Sequence, residues 1–157
     1  MDYKRHKSAS FSKKKPLPID KSVGAIVVSP TGRYLLLDRV AIKEGPVIGH
    51  YWEFSKGHKE GEESEMETLM REIEEECGIR SFEIIRGFRA KYEYLSTRGF
   101  RRLFVMYLIR TGDEKVWISE EHKTYKWAGF EEAKSLLHAP QWVRMLMNAD
   151  EYLKANF

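Results

Sequence analysis

Residues 63–77 have the periodicity of an amphipathic helix, and segments typical of β-strands lie on both sides of it. Strands are predicted at 22–29, 33–39, 51–54, 82–94, 100–110 and 124–130, with hairpin turns at 30–32 and 96–99. Loops are predicted at 40–50 and 57–62, and two further helices at 131–137 and 141–153. One helix among strands, with two more helices at the end, predicts an α/β fold in which a mixed sheet packs between helices.

The size and composition of the chain favour one globular domain in a reducing compartment. Its 157 residues are 42% hydrophobic, which suits a single core that needs no disulfide. The single cysteine, Cys77, excludes an intrachain disulfide and favours a cytoplasmic location. No apolar stretch reaches the length of a membrane span, and the charged N-terminus lacks the apolar core of a secretory signal. Neither a membrane partner nor export is therefore expected.

Positive charge is concentrated in the first fifteen residues. Six Lys or Arg and one Asp give them a net charge of +5, so the total of +3 leaves −2 for the rest of the chain. The Ser- and Lys-rich composition predicts a basic disordered arm over residues 1–19 and a folded domain over residues 20–157. Such an arm can contact RNA phosphates, although a solvated arm without a role is the simpler interpretation. The slightly acidic remainder does not indicate a nucleic-acid binder.

The predicted helix at 63–77 separates apolar from acidic side chains. At about 100° per residue, five apolar side chains form a stripe that is expected to face the core: Met66, Leu69, Met70, Ile73 and Cys77. Glu72, Glu75 and Glu76 lie together on another arc of roughly 100°. On the apolar stripe, Cys77 is most simply a buried structural residue rather than a nucleophile.

The three clustered glutamates have two interpretations. Carboxylates at i, i+3 and i+4 repel one another, and a solvated acidic face is the ordinary explanation of such a run. A divalent cation would remove that repulsion, because Mg²⁺ prefers oxygen ligands. Glycines on both sides favour the cation site, since Gly57 precedes the helix and Gly78 can form a left-handed cap after it. Lys56 and Lys59 also lie before the helix start, where backbone N–H groups attract phosphate.

These residues form one contiguous pattern. Residues 57–79 read GHKEGEESEMETLMREIEEECGI. The stretch resembles the Nudix box at every fixed position: Gly57, Glu63, Arg71, Glu72, Ile73, Glu75, Glu76, Gly78 and Ile79. The strands predicted around it extend the resemblance to most of residues 20–155. The resemblance implies the Nudix α-β-α sandwich with a mixed central sheet, and a hydrolase that splits a nucleoside diphosphate linkage with water.

The resemblance also implies roles for the residues of the box. The three clustered glutamates would ligate a divalent cation, Mg²⁺ or Mn²⁺, helped by the backbone carbonyl of Lys56. Which glutamate binds the metal directly and which acts on water differs among family members. Arg71 would act in catalysis or would pair with Glu63 to hold the loop against the helix. Water is expected to attack phosphorus without a covalent intermediate.

Two segments outside the box resemble the asymmetrically cleaving bis(5′-nucleosyl)-tetraphosphatases. They read GHYWEFSKGH at 49–58 and SEEHKTYKW at 119–127. In that subfamily an acid on the later segment completes the metal site, which here indicates Glu121 and, second, Glu120. The chain departs from the subfamily at Glu53 and Ser55, where other residues are usual, and at Gly61-Glu62 in the loop before the helix.

The same resemblance suggests the residues that bind substrate. Tyr125 and Tyr92 are candidates to sandwich an adenine ring, although aromatic residues on strands are more often half-buried core. Lys56, Lys59 and His50 are candidates for contacts with phosphate. No histidine has a Cys or His partner at zinc spacing, so a zinc site is not expected.

Three functions remain open at this point. The first is hydrolysis of diadenosine tetraphosphate, or a similar dinucleotide, to a nucleoside triphosphate and a monophosphate. The second is removal of pyrophosphate from the 5′ end of RNA or from a nucleoside triphosphate, with the basic arm as a contact to RNA. The third is a non-catalytic Nudix module that only binds nucleotides, which the intact glutamates disfavour. The oligomeric state is open.

Overall fold

A seven-stranded mixed sheet with helices on both faces forms the protein, in a computed structural model that describes residues 15–42, 45–46 and 49–157. In chain order the elements are β1 (Ile19–Val28), β2 (Tyr34–Arg39), β3 (Ala41–Ile42), β4 (Gly45–Pro46), β5 (Trp52–Glu53), β6 (Ser55–His58), α1 (Glu65–Cys77), β7 (Phe82–Leu95), β8 (Arg101–Thr111), β9 (His122–Ala128), α2 (Phe130–Leu136) and α3 (Pro140–Asn156).

Strand β1 lies at the centre of the sheet. Its whole length pairs in parallel with β8, which itself pairs antiparallel with β7. On the other side of β1, its middle residues 22–25 pair with β6 and its last residue, Val28, pairs with Tyr34 of β2. Strand β2 continues outward to β5 and β9, and β3 and β4 form a separate two-stranded ladder. Because β6 and β2 share one side of β1, the sheet divides there.

Alternating apolar residues of the strands build a core on each face of the sheet. On one face, Val23, Ala25 and Val27 pack with the helix α1. On the opposite face, Ile26 and Val28 pack with the helices α2 and α3. Both cores are fully buried, and the α-β-α sandwich with a mixed central sheet is confirmed.

Three local predictions are corrected by the structure. The predicted loop at 57–62 begins later, because Gly57 and His58 pair with β1 as the end of β6. The predicted loop at 40–50 contains the short ladder of β3 and β4. The helix α1 begins at Glu65 rather than two residues earlier.

The orientation of α1 also differs from the predicted stripe. Met70 is 53% exposed, whereas Glu72 and Glu76 are buried together with Leu69 and Ile73. On the helical wheel, the buried arc is therefore centred roughly 60° away from Met66, on the side of the glutamates. The helix turns its acidic arc partly inward because Glu76 and Glu72 pack against Ser55 and Gly57 of β6.

Two further predictions concern the basic N-terminal arm and the absence of a membrane-spanning helix. Most of the predicted basic arm, at 1–14, lies outside the described residues, and its last residue, Ile19, already belongs to β1. Within the described part of the chain, no helix is long and apolar enough to cross a membrane.

Glu65, the first residue of α1, joins the helix to three strands. Its carboxylate accepts hydrogen bonds from Lys21 of β1 at 2.6 Å and from Arg89 of β7 at 2.6 and 3.1 Å. The hydroxyl of Tyr107 of β8 also donates to it. The hydrogen bonds from Arg89 are the main reason that the pKa of Glu65 falls to about 2, with burial opposing them.

We expect Glu65→Gln to lower the free energy of unfolding by about 1–2 kcal/mol at pH 7, because charge-assisted bonds are lost. The folded pKa is depressed, so the loss is fully present above the ordinary pKa of 4.5 and shrinks as the pH falls towards 2. Urea denaturation at pH 7 and pH 3 measures it. The control is Glu67→Gln, an exposed residue of the same helical turn. Equal effects of the two substitutions at pH 7 would contradict this role of Glu65.

Candidate active site

The ends of α1 are set by local chemistry. Ser64 precedes the helix in an extended conformation, and its Oγ accepts a hydrogen bond from the backbone N–H of Glu67 at 3.1 Å. Gly78 follows the helix with a φ of +67°, and its N–H donates to the carbonyl of Glu74 at 2.8 Å. The cap at Ser64 explains why the helix begins two residues later than predicted.

Arg71 ties α1 to the loop before it. Its guanidinium donates to both carboxylate oxygens of Glu63, at 2.8 and 2.9 Å, and to the carbonyl of His58 at 2.8 Å. It also donates to Glu72 Oε1 at 2.8 Å and to Glu75 Oε2 at 3.2 Å. The bonds to Glu63 are the main reason that the pKa of the Arg71 guanidinium lies above its ordinary value. The pairing of Arg71 with Glu63 is thus present, and Arg71 also holds two glutamates of the box.

Two of the three clustered glutamates are buried at the base of the site. Glu76 is 4% exposed and Glu72 is 8% exposed. Ser55 Oγ donates to Glu76 Oε2 at 3.2 Å. Burial raises the pKa of Glu76 to about 8; the charge of Lys56 opposes this rise, and three neighbouring carboxylates add to it. Burial also raises the pKa of Glu72, while Arg71 opposes the rise.

Gly57 leaves the space that the Glu72 carboxylate fills. A Cβ atom built on Gly57 would lie 1.9 Å from Glu72 Cδ and 2.1 Å from each carboxylate oxygen. No side chain fits there, so glycine is required by the close approach of the strand β6 to the helix α1. The first residue of the box, Gly57, therefore lies directly against Glu72 of its helix.

A cavity of about 570 Å³ opens above these glutamates. Its acidic wall consists of Glu60, Glu72, Glu75, Glu76, Glu120 and Glu121. Its basic wall consists of Arg39, Lys56 and Arg102. Anions and a cation can therefore be bound side by side in one cavity. Hereafter this is the carboxylate cavity.

The donor set of the carboxylate cavity suits a hard divalent cation. Several carboxylates line it, and the raised pKa of Glu76 reflects both burial and the charges of neighbouring carboxylates. A bound cation would offset those charges. Within the described ranges, no three Asp, Glu, His or Cys side chains already form a group that could hold an ion. Glu72 and Glu75 both bond to Arg71 instead, so they would have to turn towards a cation.

Glu53 is a buried acid whose role sequence reasoning missed. It is 3% exposed and accepts from Lys56 Nζ at 2.9 Å, and its Oε1 lies 3.1 Å from His122 Nε2. Arg39 Nη1 lies 3.4 Å from its other oxygen. Burial alone would raise the pKa of Glu53, but Lys56, His122 and Arg39 together lower it to about 2. An acid between two aromatic residues of a short strand was the available signal. Glu53 fixes the cationic side chains of the site.

A second cavity of about 310 Å³ adjoins the first and is lined by aromatic rings. The rings are those of Tyr51, Tyr92, Tyr94, Phe104 and Trp142. Arg39 and Lys56 border both cavities. Lys56 Nζ lies 5.7 Å from the centre of the Phe104 ring and 5.5 Å from that of Trp142. Hereafter this is the aromatic cavity.

Several predicted substrate-binding residues are not brought together. Tyr92 lines the aromatic cavity, whereas Tyr125 lines neither cavity. The register partner of Tyr92, Phe104, belongs to the core under α2 and α3, and that of Tyr125, Leu37, belongs to the core under α1. Side chains on opposite faces of a sheet do not sandwich one ring, so the predicted pairing of Tyr92 with Tyr125 does not form.

Two predicted phosphate contacts also lie outside both cavities. His50 Nδ1 lies 2.7 Å from Asp38 Oδ2, and the His50 ring stacks on Trp52 with centroids 5.8 Å apart. Lys59 Nζ donates to the carbonyl of Gly61 at 3.0 Å. These contacts stabilise the loops that carry His50 and Lys59. Lys56, by contrast, borders both cavities, and its contact with phosphate stays a prediction.

Comparisons with known proteins agree with this site. The family described as NUDIX domain matches residues 18–148. The chain belongs to the Nudix family. The asymmetrical bis(5′-nucleosyl)-tetraphosphatase of Mus musculus is 34% identical over 108 residues, which cover 66% of this chain and 73% of the relative. The RNA pyrophosphohydrolase of Bartonella henselae is 37% identical over 80 residues, which cover 50% of this chain and 46% of the relative.

Solved Nudix structures share the fold. The C. elegans Ap4A hydrolase binary complex superposes with a TM-score of 0.74 at 22% identity, covering 87% of this chain and 98% of that chain. At this level of identity the match concerns the fold. With the family match and these relatives, the protein is a Nudix pyrophosphohydrolase that is similar to the asymmetrical tetraphosphatases. The non-catalytic alternative is left without support.

We expect Gly57→Ala to lower the hydrolase activity of this Nudix enzyme at least 100-fold, because the added methyl displaces the Glu72 carboxylate. Steady-state hydrolysis with Mg²⁺ measures the loss, and circular dichroism checks the fold. Gly112→Ala is the control, since a Cβ atom there meets nothing within 4 Å. Activity of Gly57→Ala within a few-fold of Gly112→Ala would contradict the packing argument.

Proposed function

We propose that the enzyme hydrolyses a dinucleoside polyphosphate, with diadenosine tetraphosphate (Ap4A) as the leading substrate, to a nucleoside triphosphate and a monophosphate. The single observation that carries this proposal is the pair of cationic residues, Arg39 and Lys56, shared by the carboxylate cavity and the aromatic cavity. A phosphate chain in the first cavity and a base in the second would meet at that border. The asymmetrical tetraphosphatases among the relatives support the same substrate class.

In this proposal Mg²⁺ or Mn²⁺ is held by oxygen atoms of Glu72, Glu75, Glu76 and Glu121 and by the carbonyl oxygen of Lys56. When bound, such an ion neutralises phosphate charge and lowers the pKa of water. The buried position of Glu76 and Glu72 keeps their carboxylates dry and close to the reacting phosphate. The buried thiol of Cys77, whose pKa burial raises to about 12, plays no part in the reaction.

The chain's own side chains supply the remaining steps. A carboxylate of α1 accepts a proton from the attacking water, whose oxygen forms a bond to phosphorus. The bridging P–O bond breaks, and the bridging oxygen leaves with the other nucleotide. Lys56 and Arg39 donate hydrogen bonds to the phosphate oxygens that gain charge. Arg71 holds the carboxylates of Glu72 and Glu75 at the carboxylate cavity by hydrogen bonds and does not touch the substrate.

The second candidate is an RNA 5′-pyrophosphohydrolase, which the Bartonella henselae relative favours. Both candidates use the same carboxylate cavity, so the substrate distinguishes them. We expect kcat/KM for Ap4A to exceed that for a 5′-triphosphorylated oligoribonucleotide by roughly 100-fold or more. Chromatography of the products measures both reactions. Release of pyrophosphate from the RNA, with Ap4A left intact, would overturn the first candidate in favour of the second.

A further inference from the structure

A third cavity of about 430 Å³ lies at the tip of the hairpin of β7 and β8. Tyr94, Leu95, Arg98 and Arg102 are among the residues that line it. Hereafter this is the hairpin cavity. It is larger than the aromatic cavity, and none of the predicted site residues lines it.

The hairpin cavity is joined to both parts of the active site. Arg102 lines the hairpin cavity and the carboxylate cavity, and Tyr94 lines the hairpin cavity and the aromatic cavity. Arg39 and Lys56 line both the carboxylate cavity and the aromatic cavity, so each pair of cavities shares at least one residue, and two of the three pairs share a cationic one. A ligand with an anhydride chain and one nucleoside fills two of these cavities. A third group at the far end of the chain is needed to fill the hairpin cavity.

The side chains of the hairpin cavity suit a base and its ribose phosphate. Tyr94 is 44% exposed and Leu95 is 66% exposed, so both offer apolar surface for a planar ring. Arg98 forms no ion pair with an acid among the described residues, which leaves its guanidinium available for stacking or for phosphate.

Arg102 is held rigidly at the entrance from the carboxylate cavity. Its guanidinium stacks 4.3 Å from the centre of the Phe104 ring and donates to the carbonyl of Asp20 at 3.0 Å and to Ser22 Oγ at 2.9 Å. A guanidinium has five N–H donors, so this arrangement leaves donors for a phosphate oxygen. Arg102 can therefore bind the chain where it passes from one cavity to the next.

We propose that the hairpin cavity binds the second nucleoside of a dinucleoside polyphosphate, whose first base occupies the aromatic cavity. This inference rests on the proposed function, because it assumes that the anhydride chain lies across the carboxylate cavity. An RNA body is disfavoured, since a run of phosphates needs several free cations and Arg101 beside this cavity is already paired with Glu93. The enzyme thus distinguishes two-nucleoside substrates from nucleotides with a single nucleoside.

The test compares Ap4A with adenosine 5′-tetraphosphate, which has the same phosphate chain and one nucleoside. Dissociation constants of both ligands are measured by calorimetry with Ca²⁺ in place of Mg²⁺, so that binding is read without relying on turnover. The variant is the double substitution Leu95→Ala with Arg98→Ala, which changes two exposed residues at the hairpin tip. The control is Arg86→Ala, an exposed arginine at the other end of β7 that lines none of the three cavities.

We expect the wild type to bind Ap4A about tenfold more tightly than adenosine 5′-tetraphosphate, as the stacking of one further base allows. The double variant should lose this tenfold preference and keep its affinity for adenosine 5′-tetraphosphate, and Arg86→Ala should change neither. Equal binding of both ligands by the wild type would overturn the inference. So would a parallel loss of both affinities in the double variant, or a loss confined to a 5′-triphosphorylated oligoribonucleotide, which would assign the cavity to RNA. Absence of Ap4A turnover with the preference intact would instead contradict the proposed reaction and leave the hairpin cavity as a nucleoside site.

Discussion

Glu76→Gln is expected to lower kcat roughly 1000-fold or more while making the metal-free protein more stable. Its carboxylate is 4% exposed and lies among the other acids of the carboxylate cavity. Glutamine has the same shape but cannot take a proton from water and is a poorer cation ligand. The loss of activity and the gain of stability therefore have the same cause, a buried carboxyl group whose charged form is used in the reaction and is disfavoured by burial.

The gain of stability depends on pH in a defined direction. The pKa of Glu76 is about 8 in the folded protein against an ordinary value of 4.5. Between these values the folded state retains a proton that the unfolded state has lost, so a rising pH favours unfolding. In EDTA, the difference in unfolding free energy between Glu76→Gln and wild type should be near zero below pH 4.5 and should grow to about 1–3 kcal/mol by pH 8.

Urea denaturation across pH 4–8 and steady-state kinetics with Mg²⁺ measure the two effects. Glu74→Gln is the matched control, because Glu74 belongs to the same helix but is half exposed and forms an ion pair with Arg80 at the surface. The control should change kcat less than twofold. A Glu76→Gln enzyme with near wild-type kcat would remove Glu76 from the reaction.

Glu53→Ala is expected to cost about 3–5 kcal/mol of unfolding free energy, because it removes one partner from a buried set of charges. Lys56 would lose its 2.9 Å bond and His122 its contact at 3.1 Å, both in a buried environment. The Nδ1 atom of His122 already has no hydrogen-bond partner among the described residues, so the imidazole would be left without any. Activity should fall as well, since Lys56 and Arg39 would no longer be fixed at the border of the two cavities.

Denaturation midpoints and kcat/KM separate these effects. Glu53→Gln keeps the volume and a hydrogen bond to His122, so it should unfold less readily than Glu53→Ala and should lose mainly affinity for substrate. Glu83→Ala is the control, because it removes an exposed glutamate from a strand, β7. A cost no larger than that of Glu83→Ala would show that Glu53 does not hold the cationic residues in place.

Much of the fold followed from local sequence signals. Alternating apolar residues in β1 and the turn around Gly32 specify a buried strand and a hairpin, and both are present. The glycine at position 78 ends α1 as its left-handed conformation requires. The orientation of α1 did not follow, because two glutamates are buried against β6 while Met70 faces solvent. A helical wheel cannot include contacts with a strand that the fold places beside the helix.

The site was predictable where its residues are contiguous and less so where the fold brings distant residues together. The spacing of Glu72 and Glu76 indicated a shared arc, and Lys56 was placed beside it. Arg39 and Arg102 come from two separate strands and no local pattern marks them, while the only local signal for Glu53 was its place between two aromatic residues. The proposed sandwich of Tyr92 and Tyr125 failed for a related reason, since the register of β7 and β9 places them on opposite faces.

The most direct test of the account is hydrolysis of Ap4A with Mg²⁺ in ¹⁸O-labelled water, followed by mass spectrometry of the products, with Glu76→Gln in parallel. Water attack on one phosphorus of an asymmetrically cleaved chain predicts ATP and AMP in equal amounts, with one ¹⁸O atom in one product only. The variant should give neither product at a comparable rate. Two molecules of ADP, label in both products, or unchanged turnover by Glu76→Gln would contradict asymmetric hydrolysis at the buried glutamates of α1.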